Sequence, residues 1–85
     1  MERELHSERI AIERKVFFFD LKENNRGRFL KITEDVSGRR DTIIIPATGL
    51  TDFVSALEAA IEAENELPEM ESHPPEEGGD GEFDI

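Results

Sequence analysis

KVFFFDLKENNRGRFLKI, residues 15–32, is the stretch of sequence that decides the fold. Its first eight residues alternate with a period of two, as the side chains of a β-strand do. The polar run 23–27 contains two Asn and one Gly, residue types that accept a positive φ, so it predicts a hairpin connection. Residues 28–34 alternate again and predict the return strand.

One face of this predicted hairpin is apolar, and the other combines aromatic rings with charged groups. The apolar face carries Phe17, Phe19, Leu21, Leu30 and Ile32. The opposite face carries Phe18, Asp20, Lys22, Phe29, Lys31 and Thr33. Since antiparallel sheets commonly bury one face and leave the other in water, we expect the first face to pack in a core.

Two further strands flank the hairpin. Residues 8–13 place Ile10 and Ile12 on one side at period two, and residues 42–45 are β-branched throughout and end at Pro46. Residues 36–40 predict the turn that precedes the last strand, with Gly38 as the positive-φ residue. The chain therefore begins with four antiparallel strands.

Beyond the strands the apolar period changes from two to 3.6 residues, which predicts one helix. Thr48 is the expected N-cap residue and Thr51 the alternative. The apolar stripe of the helix is formed by Leu50, Phe53, Val54, Leu57 and Ile61. The predicted class is α+β, a four-stranded antiparallel sheet followed by one helix. We expect the helix to cover the apolar face of the sheet and to leave the opposite face open.

Charge is distributed unevenly along the chain. The 85 residues include 21 acids and 10 bases, which gives a formal net charge of −11. Residues 67–85 contain seven acids and no Lys or Arg, which predicts a disordered acidic C-terminal tail after a folded domain at 1–66. Residues 9–45 carry a net charge of +3. The negative charge of the tail argues against an anionic ligand there, whereas the positive charge of residues 9–45 is compatible with one.

The size of the folded part predicts self-association. A domain of about 66 residues is only marginally stable alone, and the sequence has no cysteine for a disulfide. We therefore expect a homodimer. No apolar run approaches the roughly 20 residues that span a bilayer, and the first residues lack the apolar core of a signal peptide, so we expect a cytoplasmic protein.

The sequence offers no pattern typical of catalysis. His6 and His73 have no partners at metal-ligand spacing, and we find neither a Ser-His-Asp arrangement nor a phosphate-binding loop. We predict no enzymatic activity, no catalytic residue, no metal site and no cofactor.

Residues 20–32 resemble the core signature of the PUR repeat, a family of purine-rich-element-binding proteins with small single-repeat bacterial members. The signature is an aromatic strand ending Asp-hydrophobic-Lys, a polar turn with Asn, and then basic-Gly-Arg-Phe-hydrophobic-basic-hydrophobic. The similarity continues into 43–47 and the helix that opens at Gly49, and it covers about residues 7–64 without the tail. This chain has Glu23 where the family often has Gln, and Phe18 where it often has Tyr.

The resemblance implies a ββββα repeat of the Whirly-like kind, two of which intertwine. Because this chain has one repeat, the implied unit is an intertwined homodimer. The resemblance also implies binding of single-stranded DNA and RNA, with a preference for purine-rich sequence, and a role in regulating transcription or RNA. For a bacterial member, the implied location is the cytoplasm, with the nucleoid included.

Site residues follow from position in the signature. Binding in the family uses polar residues of the second strand, its turn and the third strand, which correspond here to Lys22, Asn24, Asn25, Arg26, Arg28 and Lys31. Phe18 and Phe29 are the candidates for base stacking. The alternative for Phe29 is a place in a dimer core, and the two Asn are equally well explained as turn formers. We expect Asp20 to pair with Lys or Arg. Arg39 and Arg40 either extend the basic strip or lie in a solvated loop, and we favour the loop.

A second function is compatible with the same fold. A protein-interaction or scaffold module would use the open face and the acidic tail to meet other proteins. The tail is compatible with this alternative because Phe83 and Ile85 stand among acids, where a protein partner could recognise them. Its composition is equally that of a solubilising tail, which we favour, or of a tethered polyanion that competes with nucleic acid for the basic strands.

Overall fold

A computed structural model describes residues 1–69 of the chain as one antiparallel sheet followed by a helix. The strands are β1 (Arg3–Ile12), β2 (Lys15–Asn24), β3 (Gly27–Val36) and β4 (Arg39–Pro46), and they neighbour one another in chain order. A 3-10 turn (Ala47–Gly49) leads directly into helix α1 (Leu50–Glu66). The predicted α+β class and element order are confirmed. The predicted disordered tail, 67–85, lies outside the described residues from residue 70 onward.

Tight turns allow the strands to run longer than the sequence pattern indicated. At the turn between β2 and β3, the side-chain Oδ1 of Asn24 accepts the backbone N–H of Arg26 at 2.9 Å. At the turn between β3 and β4, Ser37 and Gly38 have φ angles of 53° and 88°, as in the turn type that matches the twist of a hairpin. Gly38 is thus a positive-φ residue, as predicted.

Strand register sorts the side chains into two faces. Phe19 is paired with Ile32 and Leu21 with Leu30, and the same rows continue into β4. Directly paired residues lie on the same side of an antiparallel sheet. We call the side with these pairs the apolar face, and its apolar residues are Ile10, Ile12, Phe17, Phe19, Leu21, Leu30, Ile32, Val36, Ile43 and Ile45. The predicted sides of the β2–β3 hairpin are confirmed.

The helix does not cover the apolar face of its own chain, so that prediction is wrong. Helix α1 contacts the preceding 3-10 turn and packs on none of the strands. Its stripe is open to solvent, with Leu57 52% and Ile61 58% exposed. The 3-10 turn joins β4 to the helix without a loop that would return the helix across its own sheet. Periodicity identified the apolar side of the helix but not the surface that it meets.

The helix also begins differently from the sequence expectation. Its N-cap residue is Gly49, and no side chain caps the first turn. Thr48 lies inside the 3-10 turn, and the N–H of Leu50 bonds the carbonyl of Ala47. The N-cap predictions for Thr48 and Thr51 are therefore wrong, because the chain already has helical backbone in the 3-10 turn that contains Thr48, and α1 follows directly on it.

The described protomer has no hydrophobic core. Thr33 is the only buried residue in 1–69, and no apolar side chain there is buried. The Cα radius of gyration is 15.3 Å, whereas a compact chain of this length would have about 12 Å. Both large apolar surfaces, one on the sheet and one on the helix, thus lack a covering element in the described chain. No helix in the described part of the chain is long and apolar enough to cross a membrane.

Candidate nucleic-acid interface

The second side of the sheet brings rings and cations together, and we call it the mixed face. Register places Arg9 opposite Phe18, and Lys22 opposite Phe29. Neighbouring strands are about 4.8 Å apart, so each ring has a cation beside it. The mixed face comprises Ser7, Arg9, Ala11, Val16, Phe18, Asp20, Lys22, Asn24, Phe29, Lys31, Thr33, Asp35, Arg40, Thr42 and Ile44. Five of the sequence-predicted residues, Phe18, Lys22, Asn24, Phe29 and Lys31, lie on this side of the sheet.

Arg40 is a functional candidate for which a loop was favoured over the alternative, an extension of the basic strip. It lies in β4, and its Cζ is 5.2 Å from the centroid of the Phe18 ring. Its Nε donates to Oδ2 of Asp35 at 2.8 Å, which holds the guanidinium in place. Arg39 is also in β4 but is paired with Val36 on the apolar side. The loop prediction for both arginines is wrong, because the tight turn at 37–38 lets β4 begin at Arg39.

Arg9 is a second candidate that was missed. It precedes Ile10 in β1 and faces Phe18 across the strand pair. Extending the period-two pattern of Ile10 and Ile12 backwards would have placed it on the mixed face. The same extension from Ile43 and Ile45 would have identified Arg40.

The cations of this surface differ in how far they are already paired. Nζ of Lys22 lies 4.0 Å from Oε1 of Glu2, at the limit of an ion pair. Lys31, Arg9 and Arg26 form no ion pair within residues 1–69. These cations therefore keep their charge available for an anionic ligand.

Asp20 finds a partner other than the predicted cation. Its Oδ1 accepts the hydroxyl of Ser7 at 2.7 Å across the β1–β2 pair. Lys31 is its cross-strand neighbour on the other side, but no ion pair joins them among the described residues. The expectation that Asp20 pairs with Lys or Arg is therefore wrong, since the hydroxyl satisfies the carboxylate.

The tip of the β2–β3 hairpin adds exposed polar groups to the edge of the mixed face. Asn25 and Arg26 form the turn, and both are exposed. Asn24, paired with Gly27, uses its carbonyl oxygen to shape this turn. Its amide N–H groups have no partner among residues 1–69 and can donate to a ligand.

Arg28 is separated from the other candidates by the sheet itself. It is paired with Glu23 on the apolar side, and its Nε lies 3.4 Å from Oε2 of that carboxylate. Nη2 of Arg3 donates to the other oxygen, Oε1, at 2.7 Å. The hydrogen bond from Arg3, aided by the charge of Arg28, holds the pKa of Glu23 below its ordinary value. Arg28 thus belongs to an ion-pair group at the end of the apolar face.

Metal ligands are not grouped in the described part of the chain. No cluster of three or more His, Asp or Glu side chains suited to a metal ion occurs in residues 1–69. His6 has a single carboxylate neighbour, with Nε2 3.3 Å from Oε2 of Glu8. His73 lies outside the described residues.

The ββββα element order and the hairpin signature agree with a family comparison. A model of the family described as PurA ssDNA and RNA-binding protein matches residues 1–79. This chain belongs to the PurA family. The match covers the whole ββββα unit, so the resemblance of residues 20–32 to the PUR repeat is confirmed.

Curated PurA relatives are similar to this chain over part of their own length. "Transcription factor Pur-alpha 1" of Arabidopsis thaliana is 46% identical over 61 residues, which is 72% of this chain and 21% of the relative. "Transcriptional activator protein Pur-alpha" of Homo sapiens is 41% identical over 80 residues, covering 79% of this chain and 25% of the relative. This chain therefore spans about a fifth to a quarter of the length of these PurA relatives.

Proposed function

We propose that this protein binds single-stranded DNA and RNA on the mixed face and the tip of the β2–β3 hairpin. The observation that carries the proposal is the placement of two aromatic rings beside cations on a half-buried sheet face that α1 does not cover. Arg9, opposite Phe18, and Lys31, in the strand of Phe29, form no ion pair within residues 1–69. Rings accept stacked bases, and the cations neutralise phosphates. Membership of the PurA family supports this reading of the surface.

The rings explain why the ligand is single-stranded. A base in a duplex is already stacked and paired, so it would have to leave the helix to reach a ring on the sheet. An unpaired base is free to stack, which contributes about 1–3 kcal/mol per base. Phe29 lies between Lys22 across the strand pair and Lys31 along its own strand, so a stacked base would have cations on two sides. We expect duplex of the same sequence to bind more weakly.

Phe18 presents a different surface from Phe29. The guanidinium of Arg40 already lies on its ring, so a ligand meets a ring and a cation as one unit. A guanidinium is planar and stacks on aromatic faces, while its remaining N–H groups can donate to phosphate. Arg9, on the other side of Phe18, supplies a further charge to the same position.

The proposed interface comprises the sequence-predicted residues on the mixed face and hairpin, together with the two arginines that the structure adds. Its members are Arg9, Phe18, Lys22, Asn24, Asn25, Arg26, Phe29, Lys31 and Arg40. We leave Arg28 outside it, because Arg28 lies on the opposite side of the sheet in contact with Glu23.

A homodimer is part of the proposal because the protomer has two uncovered apolar surfaces. Helix α1 has 17 residues and is about 25 Å long, close to the roughly 33 Å of a ten-residue strand. We infer that each helix packs on the apolar face of the other protomer, which gives an intertwined dimer. This arrangement would create the core that one protomer lacks and would leave both mixed faces open.

The names of the relatives bear on a role in regulation. The printed names of the relatives describe a transcription factor and a transcriptional activator. We propose that this protein regulates transcription or RNA by binding purine-rich single strands.

Titration of a labelled purine-rich RNA strand, followed by fluorescence anisotropy, tests the proposed function. We expect single-stranded RNA and DNA to bind more tightly than duplex, with affinity that falls as salt rises. Lys31→Ala should weaken binding, whereas Arg28→Ala, its matched control on the opposite side, should leave the affinity within about twofold, because it removes no phosphate contact. Absence of binding at about 10 μM near physiological salt, where nonspecific contact alone would be seen, would contradict the proposal and favour a protein-interaction module.

A further inference from the structure

The acidic segment 70–85 has no part in the proposed function. It carries six carboxylate side chains and no Lys or Arg. These acids are Glu71, Glu76, Glu77, Asp80, Glu82 and Asp84. The same chain presents Arg9, Lys31 and the hairpin Arg26 without ion-pair partners in residues 1–69. Opposite charges tethered to each other meet at an effective concentration in the millimolar range.

Three of the four basic side chains on the other side of the sheet are less available, Arg39 being the exception. Arg3 and Arg28 share the carboxylate of Glu23, and Nζ of Lys15 lies 2.8 Å from Oε2 of Glu34. The inferred dimer would also cover that side with a helix. The mixed face and its hairpin therefore form the surface that best complements an acidic segment.

The length of the segment permits this contact. Residues 70–85 follow directly on Glu69, where the described part of the chain stops. Sixteen residues reach at most about 55 Å when fully extended. The described chain has Cα extents of 48 × 30 × 19 Å. The acids can therefore reach the mixed face without any change in the sheet.

We propose that the acidic segment 70–85 docks on the mixed face and the β2–β3 hairpin, and competes there with single-stranded nucleic acid. Docking requires only the surface described above, whereas the competition rests on the proposed function. A phosphate backbone and a run of carboxylates present the same kind of charge to these cations, so one displaces the other. The segment thereby lowers the apparent affinity of this surface for nucleic acid.

Zero-length cross-linking of the full chain tests the docking without any nucleic acid. A carbodiimide activates a carboxylate, and a lysine amine in contact with it then forms an amide with net loss of one water. The chain has three lysines. Lys22 and Lys31 lie on the mixed face and Lys15 on the apolar side. We expect mass spectrometry to find Lys22 or Lys31 joined to acids of the segment, and Lys15 joined to Glu34.

Cross-links from the segment equally to all three lysines, or to none, would overturn the docking.

Charge-neutralised full-length variants test the competition. The first variant combines Glu76→Gln, Glu77→Gln and Asp80→Asn in the segment. The matched control combines Glu62→Gln, Glu66→Gln and Asp52→Asn on the side of α1 away from its apolar stripe. Both lose three negative charges. We expect the first variant to bind single-stranded RNA about threefold more tightly than the control at low salt, because a tethered competitor at millimolar concentration is weakened. The difference should shrink as salt screens the charges.

The outcomes separate this inference from the proposed function. Equal affinities of the two variants would show that the segment acts through net charge alone and would overturn the competition. Cross-links on the mixed face without RNA binding by any variant would support the docking while contradicting the proposed function.

Discussion

The guanidinium of Arg40 lies over the ring of Phe18, with Cζ 5.2 Å from the ring centroid, although β3 separates the strands that carry them. The contact crosses the mixed face diagonally and is held by the bond from Arg40 to Asp35. Thr33, the one buried residue in 1–69, is paired with Phe18 on the same face. This part of the open face is thus already ordered, which lowers the entropy lost when a ligand binds.

Phe18 should be a major contributor to binding. We expect Phe18→Ala to weaken binding of single-stranded RNA by about 5- to 150-fold, which corresponds to the stacking free energy of one base. Phe18→Tyr keeps the ring and should bind within about twofold of the unsubstituted protein. Anisotropy titrations at fixed salt measure both, with the circular dichroism spectrum as a check on folding. A folded Phe18→Ala protein of unchanged affinity would show that the ring stacks no base.

Arg40 and Arg39 form a matched pair, because they are adjacent in β4 and lie on opposite sides of the sheet. We expect Arg40→Ala to weaken RNA binding and to reduce the dependence of log K on log salt by about 0.7, the value for one phosphate contact on a single strand. Arg39→Ala should leave this slope unchanged. A salt series with each variant measures the slope. Equal slopes for the two variants would place Arg40 outside the interface.

The two faces of the sheet were predictable because period two is a local property of the strands. Alternation alone put Phe17 and Phe19 on one side and Phe18 on the other, and the register confirms this. Arg40 was misplaced because a turn of five residues was expected where two suffice. The length of a turn depends on its backbone conformation. Here both Ser37 and Gly38 have a positive φ, and the residue types indicate this only for Gly38.

The surface that the helix meets was not predictable from the same pattern. The stripe that includes Leu57 and Ile61 shows that one side of α1 must be buried, but a stripe carries no information on which surface covers it. The structure separates the helix from its own sheet and leaves Leu57 52% exposed, so the surface that would cover it is a matter of the proposed dimer. Arg28, by contrast, was predictable, because period two counted back from Leu30 and Ile32 places it on the apolar side. Its position in the family signature, beside Arg26, had assigned it to the binding residues.

Glu23 should make stability depend on pH. Its folded-state pKa is lowered, first by the hydrogen bond from Arg3 and then by the charge of Arg28. A lowered pKa contributes stability above the unfolded-state value, about 4.3 for Glu, and this contribution is lost as pH falls through the folded-state value. We expect Glu23→Gln to be less stable than the unsubstituted protein at pH 7 and equally stable at a pH below both values.

Urea denaturation at the two pH values measures this difference. Glu34→Gln provides a comparison, because Glu34 pairs with Lys15 at the opposite end of β2. A stability difference for Glu23→Gln of the same size at both pH values would show that the ion-pair group at Glu23 has no part in it.

Leu57 tests whether the apolar stripe of α1 is covered by a second chain. In the protomer it is 52% exposed, so a polar substitution would cost little if the protomer were the functional unit. If the stripe packs on the partner's apolar face, Leu57→Asp removes the burial of a leucine, about 2–3 kcal/mol per protomer, and adds a desolvated charge. We therefore expect Leu57→Asp to dissociate and unfold the protein.

Ala59→Asp adds the same charge on the opposite side of α1 and should remain a folded dimer, since i and i+2 positions diverge on a helix. Size-exclusion chromatography with light scattering and thermal denaturation measure mass and stability, and a folded monomer in either the unsubstituted protein or Leu57→Asp would contradict the inferred dimer.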